Sequence, residues 1–97
     1  MCIDLARRTV SVDGREAHLT PLEFRILALL ARNAGKVLTH RQILNEVWGP
    51  GHAGENYNVR VHVAELRKKL EADSTRPRRL MTEPGVGYRL RDREDES

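Results

Sequence analysis

The chain has 97 residues, 39% of them hydrophobic and 32% charged, which suits one compact soluble domain and is too apolar for a disordered one. Cys2 is the sole cysteine, so an internal disulfide and a thiolate metal cluster are excluded and a reducing compartment is expected. The net charge is +3 and lies unevenly: Tyr57 to Arg91 holds nine basic against four acidic residues, a surplus of +5 that leaves −2 elsewhere, as expected of a domain that turns one face to phosphates.

Three short strands open the chain. "CIDL", "TVSVDG" and "EAHLT" alternate apolar and polar residues and are broken at Arg7-Arg8 and at Asp13-Gly14. The second break is a strong two-residue hairpin signal, so an antiparallel sheet is expected. "TPLE", Thr20 to Glu23, reads as a capping box with proline at the first helical position. The helix it opens runs through "LEFRILALLARN" to "AGK", where Gly35 can take a left-handed cap. Being apolar nearly all round, this helix should be central and mostly buried. A second box, "THRQ" at Thr39 to Gln42, opens a short helix with Ile43, Leu44, Val47 and Trp48 as its apolar set. "GPGHAG", Gly49 to Gly54, then breaks regular structure.

"VRVHVAELRKKL", Val59 to Leu70, carries two periodicities. Val59, Val61 and Val63 alternate as in a strand, while Val59, Val63, Leu66 and Leu70 recur as in a helix. The region from Asn56 to Ala72 contains no Gly or Pro, which is too long for an ordinary strand and normal for a helix. At about 100° per residue the helical reading buries one stripe and turns Tyr57, Val61, Ala64 and Lys68 the other way. Placed in a DNA major groove, that face would let Val61 and Ala64 meet thymine methyl groups, Arg60 pair with guanine and Asn58 with adenine. After Pro77, "RRLMTE" and "GYRLR" flank "PGVG" as a hairpin whose glycines serve a positive-φ turn. "REDES" is a charged tail.

The order of landmarks "LTPLEF", "VLTHRQIL", "VWG", "NVRVHVAELRKKLE" and "TEPGVGYRL" resembles the C-terminal effector domain of OmpR/PhoB-type response regulators, from about Ile3 to Arg91. Within the family, "VWGP", Arg60 and "TEPGVGYR" look most like the KdpE-type regulators of potassium transport. The resemblance implies an α+β winged helix-turn-helix in a single domain, 1–97. About 1–19 would form an N-terminal antiparallel sheet, 20–72 three helices, 78–91 a wing hairpin and 92–97 a tail. It implies sequence-specific binding of double-stranded DNA at direct-repeat half-sites by a head-to-tail dimer, under control of a phosphorylated receiver domain. The third helix would enter the major groove, the wing would lie near the minor groove, and the loop 49–55 would touch RNA polymerase.

Carried over by position, Asn58, Arg60, Val61, Ala64 and Glu65 face bases. Trp48, Tyr57, His62, Arg67, Lys68, Arg79, Thr82, Tyr88 and Arg89 meet phosphates or backbone. Two positions depart from the pattern: Pro84 stands where some members insert a basic wing-tip residue, and Glu65 where others often have arginine. No receiver fits in 97 residues, so an isolated effector domain is expected.

The four histidines, His18, His40, His52 and His62, show no HExxH spacing, and no glycine-rich phosphate loop occurs. No enzyme, metal or cofactor is expected. The longest apolar run, Ile26 to Ala31, falls far short of the roughly 20 residues that a bilayer crossing needs, and no cleavable leader is visible. A cytoplasmic location is expected. The competing reading is a winged helix whose outward face docks a protein.

Overall fold

The computed structural model describes residues 1–49 and 56–91, with backbone alone at 56–58. Strands β1 (Cys2–Asp4), β2 (Thr9–Val12) and β3 (Arg15–Ala17) form an antiparallel sheet in that order. Ile3 pairs with Val10, and Val10 with Ala17. The β2–β3 turn is the one that Asp13-Gly14 foretells. Both residues have positive φ, 51° and 82°, the backbone sign that matches the twist of a two-residue hairpin. Along β2 the side chains alternate, and Val10 and Val12 enter the core.

Helix α1 (Pro21–Arg32) starts at the expected box: the Glu23 N–H donates to Thr20 Oγ1 at 3.2 Å, and the Thr20 N–H to Glu23 Oε1 at 2.9 Å. Ile26, Leu27 and Leu30 are fully enclosed, each contributing on the order of 2 kcal/mol by leaving water. Past the helix, Gly35 has the expected positive φ of 85° and donates to Leu90 O at 2.9 Å. Helix α2 (His40–Val47) is capped the same way by Thr39 and Gln42. Helix α3 (Asn56–Leu70) lays Val59, Val63, Leu66 and Leu70 against α1 and α2. The helical reading of the doubly periodic stretch is the observed one.

A third strand extends the terminal hairpin. Residues Leu38–Thr39 form β4, which pairs with β6 (Gly87–Leu90), and β6 pairs in turn with β5 (Leu80–Glu83), so the sheet order is β4-β6-β5. The sequence reading missed β4 because two residues carry no alternation; only its partner identifies it. The glycines of "PGVG" also serve different ends. Gly85 takes positive φ, 76°, whereas Gly87 does not. Gly87 is needed because a Cβ there would overlap the Leu38 carbonyl.

The third helix ends at Leu70, two residues before the expected Ala72. The cause is Glu71, whose carboxylate is 1% exposed. It accepts from the N–H groups of Arg78 (3.0 Å), Arg79 (2.9 Å) and Leu80 (2.8 Å), drawing the entry of β5 onto the end of α3. Arg79 completes the joint from the other side, donating to Leu70 O at 3.2 Å with Asp13 3.5 Å away.

Two stability changes should follow. Glu71→Ala strands three backbone N–H groups and removes a carboxylate beside the Arg79 guanidinium, so a loss of about 3 kcal/mol is expected in urea unfolding. The second concerns Glu23, whose Oε1 also receives Lys69 Nζ at 2.6 Å. Burial raises the Glu23 pKa, but the Lys69 bond and the Thr20 N–H outweigh it, and the net shift is below 4.5. A carboxylate held low stabilises the fold above its unfolded pKa and loses that contribution as pH falls through the folded value. The stability gap between wild type and Lys69→Met should therefore be full above about pH 4.5 and close below it, as followed by circular dichroism.

Candidate nucleic-acid interface

Packing of the Val59, Val63, Leu66 and Leu70 stripe fixes what α3 turns outward. Arg60, Val61, Ala64 and Lys68 are exposed, Val61 by 41%. Glu65 is half-buried on the same side, 3.3 Å from Lys68 Nζ. The helix thus presents cations, one carboxylate and a small apolar ridge on a single convex face. Of the expected base-facing residues, Arg60, Val61, Ala64 and Glu65 lie together there. The side chains of Tyr57 and Asn58, and the loop 49–55 beyond Gly49, lie outside the described residues.

The flanks of this face are built by neighbouring elements. On one side Trp48, at the end of α2, is half-buried against the core, and its ring stands 5.6 Å from the His62 imidazole. On the other side the wing is fastened by Arg67. Its Nε and Nη2 both donate to Leu80 O, at 3.1 and 3.0 Å, and Nη2 also donates to Thr82 Oγ1. The guanidinium lies over the Tyr88 ring at 5.7 Å. Burial pulls the Arg67 pKa down and raises that of the Tyr88 hydroxyl. Arg67 stays a cation at neutral pH because a guanidinium is far too basic to lose its proton there. Arg67, Thr82 and Tyr88 therefore form one joint, in which much of the arginine's donor capacity serves the wing.

Two expected phosphate ligands have partners within the protein. Arg79 is only 19% exposed and is engaged by Leu70 O, Asp13 and Glu71, because it completes the α3–β5 joint. Arg89 pairs with Met81 across β5, on the face opposite Thr82 and Tyr88. Its Nε stands 3.4 Å from Glu83 Oε1, so it lies on the side of the wing away from α3.

The sequence reading also missed His40. Its ring lies 5.0 Å from Tyr88, and its Nδ1 is buried without a partner among the described residues. Burial, then the charge of Arg60, lowers its pKa, so it is neutral near pH 7. Arg60 stands seven residues, about two helical turns, before Arg67 and so lies on the same, wing-facing flank of α3. No local signal in the sequence announces this cluster, since it forms only when β6 closes over the start of α2.

Among the described residues no three His, Cys, Asp or Glu side chains converge as a metal site, and no helix is long and apolar enough to cross a membrane. An open groove of about 300 Å³ between the β1–β2 turn and α1 holds Leu5, Phe24 and Val47 with arginines at its rim. It shares no residue with the α3 face. That face suits a polyanion whose surface carries donors, acceptors and methyl groups.

Residues 14–90 match the family model described as transcriptional regulatory protein, C terminal. Over 88 residues, 91% of the chain, the sequence is 53% identical to the KDP operon transcriptional regulatory protein KdpE of Escherichia coli K12. The matched part is 39% of that relative, so the chain spans about two fifths of the length of the curated relatives it matches. Among solved structures it superposes on response regulator DrrB of Thermotoga maritima, an OmpR/PhoB homologue, with a TM-score of 0.85 at 38% identity, covering 93% of this chain and 41% of that one. It also superposes on the Klebsiella pneumoniae RstA DNA-binding domain, solved in complex with the RstA box, with a TM-score of 0.83 at 31% identity, covering 92% and 88%.

The Arg67 joint has a direct test. Arg67→Lys keeps the charge but cannot place parallel donors on Leu80 O and Thr82 Oγ1. Native-state hydrogen exchange of β5 and β6 amides should then speed up about tenfold, a local cost of about 1.4 kcal/mol, while α1 amides keep their protection.

Proposed function

Because the chain belongs to the family of C-terminal domains of transcriptional regulatory proteins, in the winged-helix form of the OmpR/PhoB response regulators, we propose that it binds duplex DNA sequence-specifically, with α3 in the major groove and the wing beside the adjacent minor groove. The observation that carries this reading is the split of α3. Its apolar stripe is wholly consumed by the core, and the opposite face leaves Arg60, Val61, Ala64 and Lys68 exposed, with Lys68 held only by the exposed Glu65 among the described residues.

Each residue then has a role that follows from its chemistry. Arg60 donates two bonds to guanine O6 and N7, and Val61 and Ala64 lie against thymine methyl groups. Asn58 reads a neighbouring base. Lys68, Tyr57 and His62, with Trp48 beside it, meet the phosphate backbone. Arg67 gives its remaining Nη1 donors to a phosphate while holding Thr82 and Tyr88 in place for the wing. Arg79 and Arg89 are assigned structural roles, since both are engaged by acidic partners. With Pro84 at the tip, the wing lies along the backbone and inserts no cation into the minor groove.

For the longer protein to which the matched relatives correspond, the proposal is a two-component regulator in the cytoplasm. A receiver domain would control assembly of head-to-tail dimers on directly repeated half-sites, and the loop 49–55 would meet RNA polymerase. No catalytic role is assigned to the chain.

Two measurements test the DNA reading. The logarithm of affinity should fall with the logarithm of salt by about 0.9 per phosphate contacted, and Lys68→Ala should reduce that slope by about one. Arg60→Ala should cost roughly 1–3 kcal/mol on the preferred site and relax one base position. A shallow slope with equal affinity for all duplexes would instead indicate a protein-docking face.

A further inference from the structure

On an outward face made of cations and small apolar side chains, Glu65 is the misfit. A carboxylate that approaches a polyanion raises the cost of binding, and it does so on every sequence alike unless it finds a donor. Off DNA the carboxylate leans on Lys68 Nζ at 3.3 Å, one helical turn along. Both side chains are substantially exposed, 46% for Glu65 and 65% for Lys68. An exposed pair of this kind is worth little and opens readily. Lys68 is thus free to swing to a phosphate, and Glu65 to turn toward the groove floor between Val61 and Lys68.

The groove floor offers a carboxylate few partners. Guanine shows only acceptors at O6 and N7, and thymine an acceptor and a methyl group. Donors come from adenine N6 and cytosine N4. The adenine amino group lies between two acceptors, its own N7 and the O4 of the paired thymine. The cytosine amino group has an acceptor on one side alone, the O6 of guanine. A two-oxygen anion therefore meets the least repulsion at cytosine.

We propose that Glu65 is a specificity-determining residue that accepts from the N4 amino group of one cytosine in each half-site, with Lys68 neutralising it until DNA arrives. This rests on the DNA-reading function above and adds to it a penalty: Glu65 weakens binding to every duplex that lacks a cytosine at that place. The residue sharpens selection by lowering affinity for the wrong sites.

The test combines a protein change with a base change. The preferred site of the 97-residue chain is first selected from a random duplex library. Each cytosine in it is then replaced in turn by 2-pyrimidinone, which lacks the 4-amino group. Wild type should lose about five- to tenfold in affinity at one cytosine per half-site beyond the loss common to all the replacements. Glu65→Ala should show no extra loss at that cytosine, and should bind random duplex about threefold more tightly because one repulsive charge is gone. Glu65→Gln keeps an acceptor and adds a donor, so its preference at that position should move to adenine, whose N6 and N7 fit an amide. If wild type and Glu65→Ala respond equally to every replacement, or Glu65→Ala binds random duplex more weakly, the proposal is overturned while the DNA-reading function stands. A wild-type chain with no preferred site would overturn that function itself.

Discussion

The third helix and the terminal hairpin are joined through one buried carboxylate. Glu71 follows the last residue of α3 and receives three consecutive backbone N–H groups from the start of β5. The chain between them turns back sharply, so β5 enters antiparallel to β6 at a height set by α3 itself. Arg79 closes the same joint by donating to the last turn of the helix, and Arg67 repeats the device one turn earlier with Leu80 O and Thr82. The wing is thereby not a loosely tethered hairpin. Its position relative to the outward face of α3 is defined by charge-assisted hydrogen bonds, which are stronger than neutral ones.

This joint explains why part of the basic charge is committed within the protein. A count of charges suggests a uniform cationic surface between Tyr57 and Arg91. Two groups stand apart within that charge. Arg67, Arg79 and Arg89 are bound to carbonyls, carboxylates or a hydroxyl and hold the wing, whereas Arg60 and Lys68 stand on the face of α3. Electrostatic attraction to a polyanion draws on both, because the field at a distance sums all charges. In the proposed function, discrimination between partners falls to the outward set.

What could be read from the sequence, and what could not, follows the range of each interaction. The Asp13-Gly14 turn, both capping boxes and the two faces of α3 depend on residues within four positions of one another, so spacing alone locates them. Strand β4 was illegible because two residues have no period, and its identity rests on Tyr88 and Gly87 nearly fifty positions away. Nothing local distinguishes Glu71 from Glu65, since both are acids among the charged residues of one helical stretch. Only closure of β5 makes one a buried anchor and leaves the other facing out. The partners of Arg79 and Arg89 were illegible for the same reason: position in a family pattern does not reveal which arginines the carboxylates Glu71, Asp13 and Glu83 will hold.

Thr39 belongs to two elements at once: it pairs with Gly87 as the last residue of β4, and its hydroxyl caps the first turn of α2. Sheet and helix meet there with no linker residue between them. An insertion or deletion at this point would have to break either the strand register or the helix cap, so the joint has no tolerance for change in length. Lineages that lengthen or shorten this domain should do so elsewhere, as in the exposed turn at 72–76, where the chain is fastened mainly to itself through Asp73 and Thr75. Related domains should accordingly differ in the span between α3 and β5 while holding the count between β4 and α2 at zero.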